Sequence, residues 1–238
     1  MIIQQDCLEW MKTQLDDSID VIITSPPYNK KGLRGGKITS TQLWDNANID
    51  YGVYDDNMPE LDYQAWQQAI LNECYRILKP TGSLFYNHKI RNWNRKGYHP
   101  CEFILDTDLQ FYQEIIWNRK TTLALDARYL FTKTERIYWF CKDKPLVFKQ
   151  RMPEEYRGDI WTITPSSAKD HPASYPELLV ELCLKLTAPD DAVIYDPFGG
   201  SGTTAAVAQE FGCKWITTEI DPDYVEFIKQ RCNERSKT

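Results

Sequence analysis

Two short apolar runs, each spilling into a loop that a regular element cannot contain, constrain this chain more than anything else in it. Asp20-Val21-Ile22-Ile23 leads into Thr24-Ser25-Pro26-Pro27-Tyr28-Asn29. Ala192-Val193-Ile194-Tyr195 leads into Asp196-Pro197-Phe198-Gly199-Gly200-Ser201-Gly202-Thr203-Thr204. Mostly apolar runs of strand length read as strands buried on both faces, the pattern of parallel sheets covered by helices. Loops at the ends of such strands are where open α/β sheets hold their ligands.

The rest of the chain fits that frame. Met1–Gln5 reads as a strand and Cys7–Lys12 as a short helix. Residues 29–58, rich in Gly, Asn, Asp and Lys, read as a long loop, and loops of that length are usually functional or disordered. Leu61, Ala65, Ala69, Ile70, Cys74, Ile77 and Leu78 give the stretch Glu60–Leu78 one apolar helical face. Lys79-Pro80-Thr81-Gly82 then ends the helix, and Ser83–Tyr86 forms a short strand. Pro100–Leu109 looks helical, while Gln113–Trp117 and Glu135–Phe140 carry the β-branched and aromatic residues of strands. Ser174 and Glu177 have capping-box spacing and open a helix to about Leu186. Ala192–Tyr195 (strand), Gly202–Phe211 (helix) and Lys214–Glu219 (strand) follow. The last helix starts at Asp221-Pro222, an N-cap with Pro at the first position, and ends near Arg235. Strands alternating with helices predict a mostly parallel sheet with helices on both faces.

Composition narrows the class. A chain of 238 residues suits one α/β domain, residues 1–238, and little more. No apolar run reaches the roughly 18 residues of a membrane span, and the start lacks a signal peptide's basic-then-apolar pattern, so a cytoplasmic protein is expected. The seven cysteines are scattered and form no Cys-x-x-Cys pair, which speaks against a disulfide framework or a zinc site. The net charge of −6 excludes a protein that coats nucleic acid by charge alone. Basic residues nevertheless cluster. Lys30, Lys31, Arg34 and Lys37 follow the first loop with no acid among them, and Lys89, Arg91, Arg95 and Lys96 form a second acid-free run.

The second loop has neither the lysine of a G-x-x-x-x-G-K-[ST] phosphate loop nor the spacing of G-x-G-x-x-G. Gly199, Gly200 and Gly202 let its backbone turn tightly and approach a compact ligand. Glu219 ends the next strand about twenty residues on, where Rossmann-type sites place an acid for ribose hydroxyls.

Together, Ser-Pro-Pro-Tyr and Asp-Pro-Phe-Gly-Gly-Ser-Gly, in that order, resemble the catalytic and cofactor motifs of the permuted β group of N4-cytosine/N6-adenine DNA methyltransferases. Leu78-Lys79-Pro80-Thr81-Gly82 and Thr134–Phe140 resemble further segments of that family, so the likeness spans nearly the whole chain. It implies a Rossmann-like methyltransferase fold with permuted motif order, using S-adenosyl-L-methionine and releasing S-adenosyl-L-homocysteine. The cofactor residues it implies are Asp6 and Cys7, His171 in His-Pro-Ala-Ser-Tyr-Pro, Asp196, Pro197, Phe198, Gly200, Ser201, Gly202 and Thr203, and Glu219 with Ile220. The catalytic residues are Ser25, Pro26, Pro27 and Tyr28.

The chemistry explains these residue types. An exocyclic nucleobase amine is a poor nucleophile because its lone pair is delocalised into the ring, so it must be held in line and hydrogen-bonded as charge develops. Two prolines restrict the backbone and leave carbonyls free to accept. The Pro26 carbonyl and Ser25 hydroxyl are expected to face the amine, with the Tyr28 ring stacking on a base flipped out of duplex DNA. Within the family, Asp at the position of Ser25 leans toward adenine N6 and Ser toward cytosine N4. Cytosine N4 is therefore expected, with adenine N6 as the alternative and an RNA or protein N-methyltransferase or a non-catalytic DNA-binding subunit as remoter ones. Double-stranded DNA is the expected partner, and a homodimer and a cognate restriction endonuclease stay open. Lys30, Lys31, Arg34, Lys37, Arg91, Arg95 and Lys96 are the candidate DNA contacts. Only about 30 residues, Cys141–Asp170, separate the Thr134–Phe140 segment from the His-Pro segment, too few for a large recognition domain. The 29–58 loop and the short 141–170 insertion, with Lys149, Arg151 and Arg157, are therefore the candidate recognition segments, beside the basic run at 89–96 or a second subunit.

Overall fold

The computed structural model describes residues 1–29, 58–93, 96–120, 130, 132–165 and 175–235. The elements in chain order are β1 (Ile2–Gln4), α1 (Cys7–Met11), β2 (Ile19–Thr24), α2 (Glu60–Ile77), β3 (Leu78–His88), β4 (Arg91–Trp93) and β5 (Lys96–Tyr98). They continue as α3 (Cys101–Ile104), β6 (Gln110–Asn118), β7 (Thr134–Cys141), β8 (Ile160–Thr162), α4 (Glu177–Thr187), β9 (Val193–Asp196), α5 (Thr203–Glu210), β10 (Lys214–Glu219) and α6 (Pro222–Arg235).

Eight strands form one sheet in the order β1-β10-β9-β2-β3-β7-β6-β8. The pairings from β1 to β3 are parallel, β7 is antiparallel to both β3 and β6, and β8 is parallel to β6. The sheet is therefore mostly parallel, as expected. Every residue of β2 is buried, because Val21 and Ile23 pack toward α4 and the C-terminal part of α5 while Ile22 packs toward α1 and α2. Each such side chain contributes about 1.5–3 kcal/mol of burial. Asp20 survives in this run because its carboxylate takes Lys79 Nζ at 2.8 and 2.9 Å and the Val193 amide at 2.9 Å, tying both neighbouring strands to β2. Asp221 caps α6 through the Asp223 amide at 2.8 Å, as its sequence predicts.

Several local expectations are corrected. Lys79–Gly82 does not separate α2 from a short strand. β3 begins at Leu78, and the turn residues form a bulge between the Ile19–Leu78 and Val21–Ser83 pairings. Gly82 is required there, since a Cβ would lie 2.8 Å from Leu78 Cδ1 and 2.9 Å from the Asp20 carbonyl. The α2 stripe that is buried runs through Tyr63, Gln67, Ile70, Leu71, Cys74 and Ile77, while Leu61 is 78% exposed and Ala65 and Ala69 also face solvent. The helix expected over 100–109 is only α3, because Thr107 and Asp108 bond to Ile104 and Asn72 rather than continue it. α4 is capped by Pro176 with no side-chain bond. Glu177 pairs instead with Arg231 at 2.6 Å and with Arg235, and Ser174 lies outside the described residues. Among the described residues no helix is long and apolar enough to cross a membrane.

Candidate active site

β2 and β9 are neighbours, with Val21 opposite Ile194 and Ile22 opposite Tyr195. Their C-terminal ends therefore open side by side, and the two loops meet although they lie far apart in sequence. Asp196 joins them. One carboxylate oxygen accepts from Thr24 Oγ1 at 3.0 Å and the Phe198 amide at 3.1 Å. The other accepts from Thr204 Oγ1 at 2.7 Å and the Tyr175 hydroxyl at 3.0 Å. Burial pushes this carboxyl up to about 6 despite four donors.

The cleft between the loops has an empty volume of about 810 Å³, counting its open mouth. Ser25, Pro26, Pro27 and Tyr28 form one wall; Asp6, Cys7, Pro197, Phe198, Gly200, Glu219 and Ile220 form the other. These predicted residues are brought together. Asp196, Ser201, Gly202 and Thr203 stand behind the wall rather than in it, and His171 lies outside the described residues. Gly200 and Gly202 take left-handed backbone, φ 48° and 71°. Gly199 and Gly202 are crowded by Thr217 and Ile228, so their lack of a side chain serves the packing of β10 and α6, not approach to a ligand. The sequence reading did not include Gln5, Trp66, Thr218 and Tyr224, which also line the cleft. Trp66 stands edge-on to Phe198, centroids 5.7 Å apart. Its position off the buried stripe of α2 was the available signal.

Glu219 is held by two backbone donors, Gly200 N at 2.8 Å and Asp221 N at 2.9 Å, and burial raises its carboxyl. A carboxylate has about four acceptor sites, so capacity remains for ligand hydroxyls. Asp6 caps α1 through Leu8 N and Glu9 N at 2.9 and 3.1 Å, all on Oδ1. Burial pushes the Cys7 thiol up and leaves it a packing residue. Among the described residues no Lys, Arg or His lines the cleft, whereas Asp6, Glu219 and several aromatic rings do. Such a lining disfavours phosphate and suits a cationic ligand with hydroxyl groups. S-adenosylmethionine, a sulfonium with a ribose and no phosphate, fits that chemistry.

The catalytic motif is fixed from behind. Tyr63 donates its hydroxyl to the Pro27 carbonyl at 2.9 Å, and its oxygen is also 2.9 Å from His88 Nε2. Among the described residues nothing donates to the Pro26 carbonyl. The Tyr28 hydroxyl lies 2.7 Å from Ser25 Oγ, and its ring rests against His88, centroids 4.5 Å apart.

Of the candidate DNA contacts, Lys30, Lys31, Arg34, Lys37 and Arg95 lie outside the described residues, and Lys96 is exposed on β5. Arg91 is corrected. Its side chain is 2% exposed, forms a bidentate pair with Glu60 at 2.6 and 2.8 Å and stacks over Tyr63. It braces the residue that holds Pro27 and is not on a DNA-facing surface. Arg151, bonded to the Ala188 carbonyl ahead of β9, sits at the opposite end of the sheet from the cleft.

The family model N6_N4_Mtase, described as DNA methylase, matches residues 19–230. The chain is 29% identical over 252 residues to the type II methyltransferase M.HinfI of Haemophilus influenzae, covering 98% of this chain and 68% of that protein. It is 30% identical over 264 residues to M.BamHI of Bacillus amyloliquefaciens, covering 98% of this chain and 56% of that one, so it spans little more than half of this relative's length. Its fold matches the PvuII DNA methyltransferase (cytosine-N4-specific) with a TM-score of 0.79 at 20% identity, over 99% of this chain and 89% of that one. It also matches a protein of Thermus thermophilus, described as a DNA modification methylase and solved with S-adenosyl-L-methionine. There the TM-score is 0.70 at 21% identity, over 98% and 95% of the two chains.

Proposed function

The chain belongs to the N6/N4 DNA methylase family, and from that membership, with Ser25 opening the Ser-Pro-Pro-Tyr motif, we propose that it methylates cytosine N4 in double-stranded DNA, with S-adenosylmethionine as donor. The observation that carries the reading is the junction of two unlike walls in one cleft: a rigid Ser-Pro-Pro-Tyr wall and a phosphate-averse acidic wall, joined behind by Asp196. When bound, S-adenosylmethionine supplies an electrophilic methyl group.

The chain's residues do the rest. Glu219, oriented by two amides, accepts the ribose hydroxyls, and Asp6 stands beside it. Phe198, Trp66 and Ile220 give the apolar contact that excludes water. Ser25 Oγ and the Pro26 carbonyl accept hydrogen bonds from the target amine, drawing its lone pair out of conjugation as the nitrogen attacks. Tyr63 engages the Pro27 carbonyl and so fixes the turn that presents Pro26. The target base leaves the duplex to reach this wall, at a cost of a few kcal/mol.

Nucleoside mass spectrometry of mixed-sequence duplex DNA, incubated with the protein and S-adenosylmethionine, tests the reading. N4-methylcytosine is expected. N6-methyladenine would move the target to the family's other base and keep the site. Ser25→Ala should lower the rate about a hundredfold while leaving cofactor affinity intact, and an equally active variant would remove Ser25 from the chemistry.

A further inference from the structure

A hydrogen-bonded chain runs from Ser25, on the cleft wall, through Tyr28 in the same loop and Asn87 of β3 to a buried carboxylate on β7 that the proposed reaction has not yet used. Ser25 Oγ lies 2.7 Å from the Tyr28 hydroxyl. That hydroxyl donates toward the Asn87 carbonyl at 3.3 Å and Glu135 Oε2 at 3.5 Å. The Asn87 side-chain amide ties the chain together, donating to Tyr28 Oη at 3.0 Å and Glu135 Oε2 at 3.2 Å, with Ser25 Oγ at 3.4 Å. The opposite orientation of that amide would set its oxygen against the Glu135 carboxylate, so the orientation is dictated. Arg119 Nη1 holds Oε1 of the same carboxylate at 2.7 Å. Glu135 is 9% exposed and Arg119 33% exposed, so the chain begins at the cleft and ends at a guanidinium that reaches solvent.

Resting on the methyltransfer reading, we propose that Tyr28, Asn87 and Glu135 form a proton relay that takes the surplus proton from the target amine through Ser25. The amine nitrogen takes the methyl group as the donor's C–S bond breaks, the electron pair of that bond stays on sulfur and leaves with S-adenosylhomocysteine, and positive charge develops on nitrogen. One of its N–H bonds breaks in the same step, the electron pair stays on nitrogen, and the proton passes to Ser25 Oγ, so loss of the relay slows methyl transfer itself. The Ser25 hydroxyl proton moves to Tyr28 Oη, and the Tyr28 proton moves to Glu135 Oε2. The developing ammonium and the carboxylate become a neutral methylated amine and a neutral carboxylic acid. The acid later loses its proton to water at the Arg119 rim. A weakly basic ring amine becomes a strong acid once methylated and charged, so a carboxylate two hydroxyls away is a sufficient acceptor. The 3.5 Å step is long, as such bonds are before substrate closes the site. Tyr28, Asn87 and Glu135 act through Ser25 and are positioning residues.

The test is single-turnover methyl transfer to mixed-sequence duplex DNA by wild type, Glu135→Gln, Tyr28→Phe and the double variant, with the affinity of each for S-adenosylhomocysteine. Each single variant should be slower by about tenfold or more, with that affinity held within about twofold. The double variant should be no more than about threefold slower than the slower single one, because members of one relay fail as a unit. Losses that multiply, or a Glu135→Gln rate within about twofold of wild type, would overturn the relay. Should Glu135→Gln not fold, wild type in mixtures of light and heavy water decides. A bowed proton inventory is expected, and no solvent isotope effect would overturn the proposal. If wild type methylates nothing in duplex DNA, the underlying reading falls and the relay with it; transfer with additive variants removes the relay alone.

Discussion

Asp196 is the residue through which the two loops hold each other, and its burial carries a measurable cost. Its carboxyl rises from an ordinary 3.8 to about 6 in the folded protein, a difference of about 3 kcal/mol. Because the folded state holds this proton more tightly than the unfolded chain, the contribution is fully present below pH 3.8. As the pH climbs, the unfolded chain loses its proton first, stability falls, and the whole contribution is gone above about pH 6. This runs against the usual carboxylate, which stabilises as it ionises. Asp196→Asn removes the titration and keeps the shape. The amide oxygen can still accept from Thr24 and Phe198, and its NH2 can donate to Tyr175 and Thr204, whose hydroxyls accept as readily as they donate. Urea unfolding of both proteins without ligand, between about pH 4 and pH 7 at fixed ionic strength, should show the variant gaining on wild type by about 2–3 kcal/mol across that range. Stability curves that stay parallel would show that Asp196 is not held as a strained, desolvated acid, and the account of the junction would be wrong.

Three other outcomes follow from single contacts. Glu219→Ala removes the acceptor of two amides and the site offered to ribose hydroxyls, so affinity for S-adenosylhomocysteine should fall by about 2 kcal/mol, roughly thirtyfold; an unchanged Kd by calorimetry sinks the ribose assignment. Gly199→Ala would place a Cβ 2.6 Å from Thr217 Oγ1 and 2.9 Å from Ile228 Cδ1, and should lower the urea midpoint by the equivalent of about 1–3 kcal/mol. Arg91→Ala breaks a buried bidentate pair and should cost about 2–4 kcal/mol of stability while leaving the DNA affinity of the folded protein unchanged. Unaltered stability with weaker DNA binding would put Arg91 back on the DNA-facing surface.

What the sequence disclosed were features with local causes. β2, β9, β10 and α6 announce themselves through runs buried on both faces, glycines and an Asp-Pro cap, all within a few residues. β4, β5 and β8 are three residues each, too short for any period to show. The buried stripe of α2 was misread because Tyr63 and Gln67 look amphipathic in isolation. The Tyr63 hydroxyl donates to the Pro27 carbonyl at 2.9 Å and Gln67 Oε1 accepts from the Tyr86 hydroxyl at 2.7 Å, partners that come from other elements. Arg91 was misread for the same reason, since its partner Glu60 precedes it by a whole helix and strand. The Thr134–Phe140 segment was recognisable as a motif, yet nothing local to Glu135 reveals that it reaches Tyr28, 107 positions away.

The same topology bears on where DNA would meet the proposed enzyme. β3 is parallel to β2, β7 antiparallel to β3, β6 antiparallel to β7 and β8 parallel to β6. The ends of β2, β3, β6 and β8 and the start of β7 therefore lie along one edge of the sheet, the edge that carries Ser25 and Asp196. In sequence, residues 30–57, 121–129 and 166–174 follow the ends of β2, β6 and β8, which lie on this edge. The first of these segments is closed at its base, where Asn29 Nδ2 donates to the Met58 carbonyl at 2.9 Å and the Met58 amide donates to Asn29 Oδ1 at 2.8 Å. The 141–165 stretch starts from the other edge, and Arg151 is spent on the Ala188 carbonyl. With a net charge of −6, affinity for phosphates has to come from locally gathered cations. In sequence the run Lys30, Lys31, Arg34 and Lys37 begins directly after Asn29, so the two hydrogen bonds that close this base stand next in the chain both to those cations and to the Tyr28 wall.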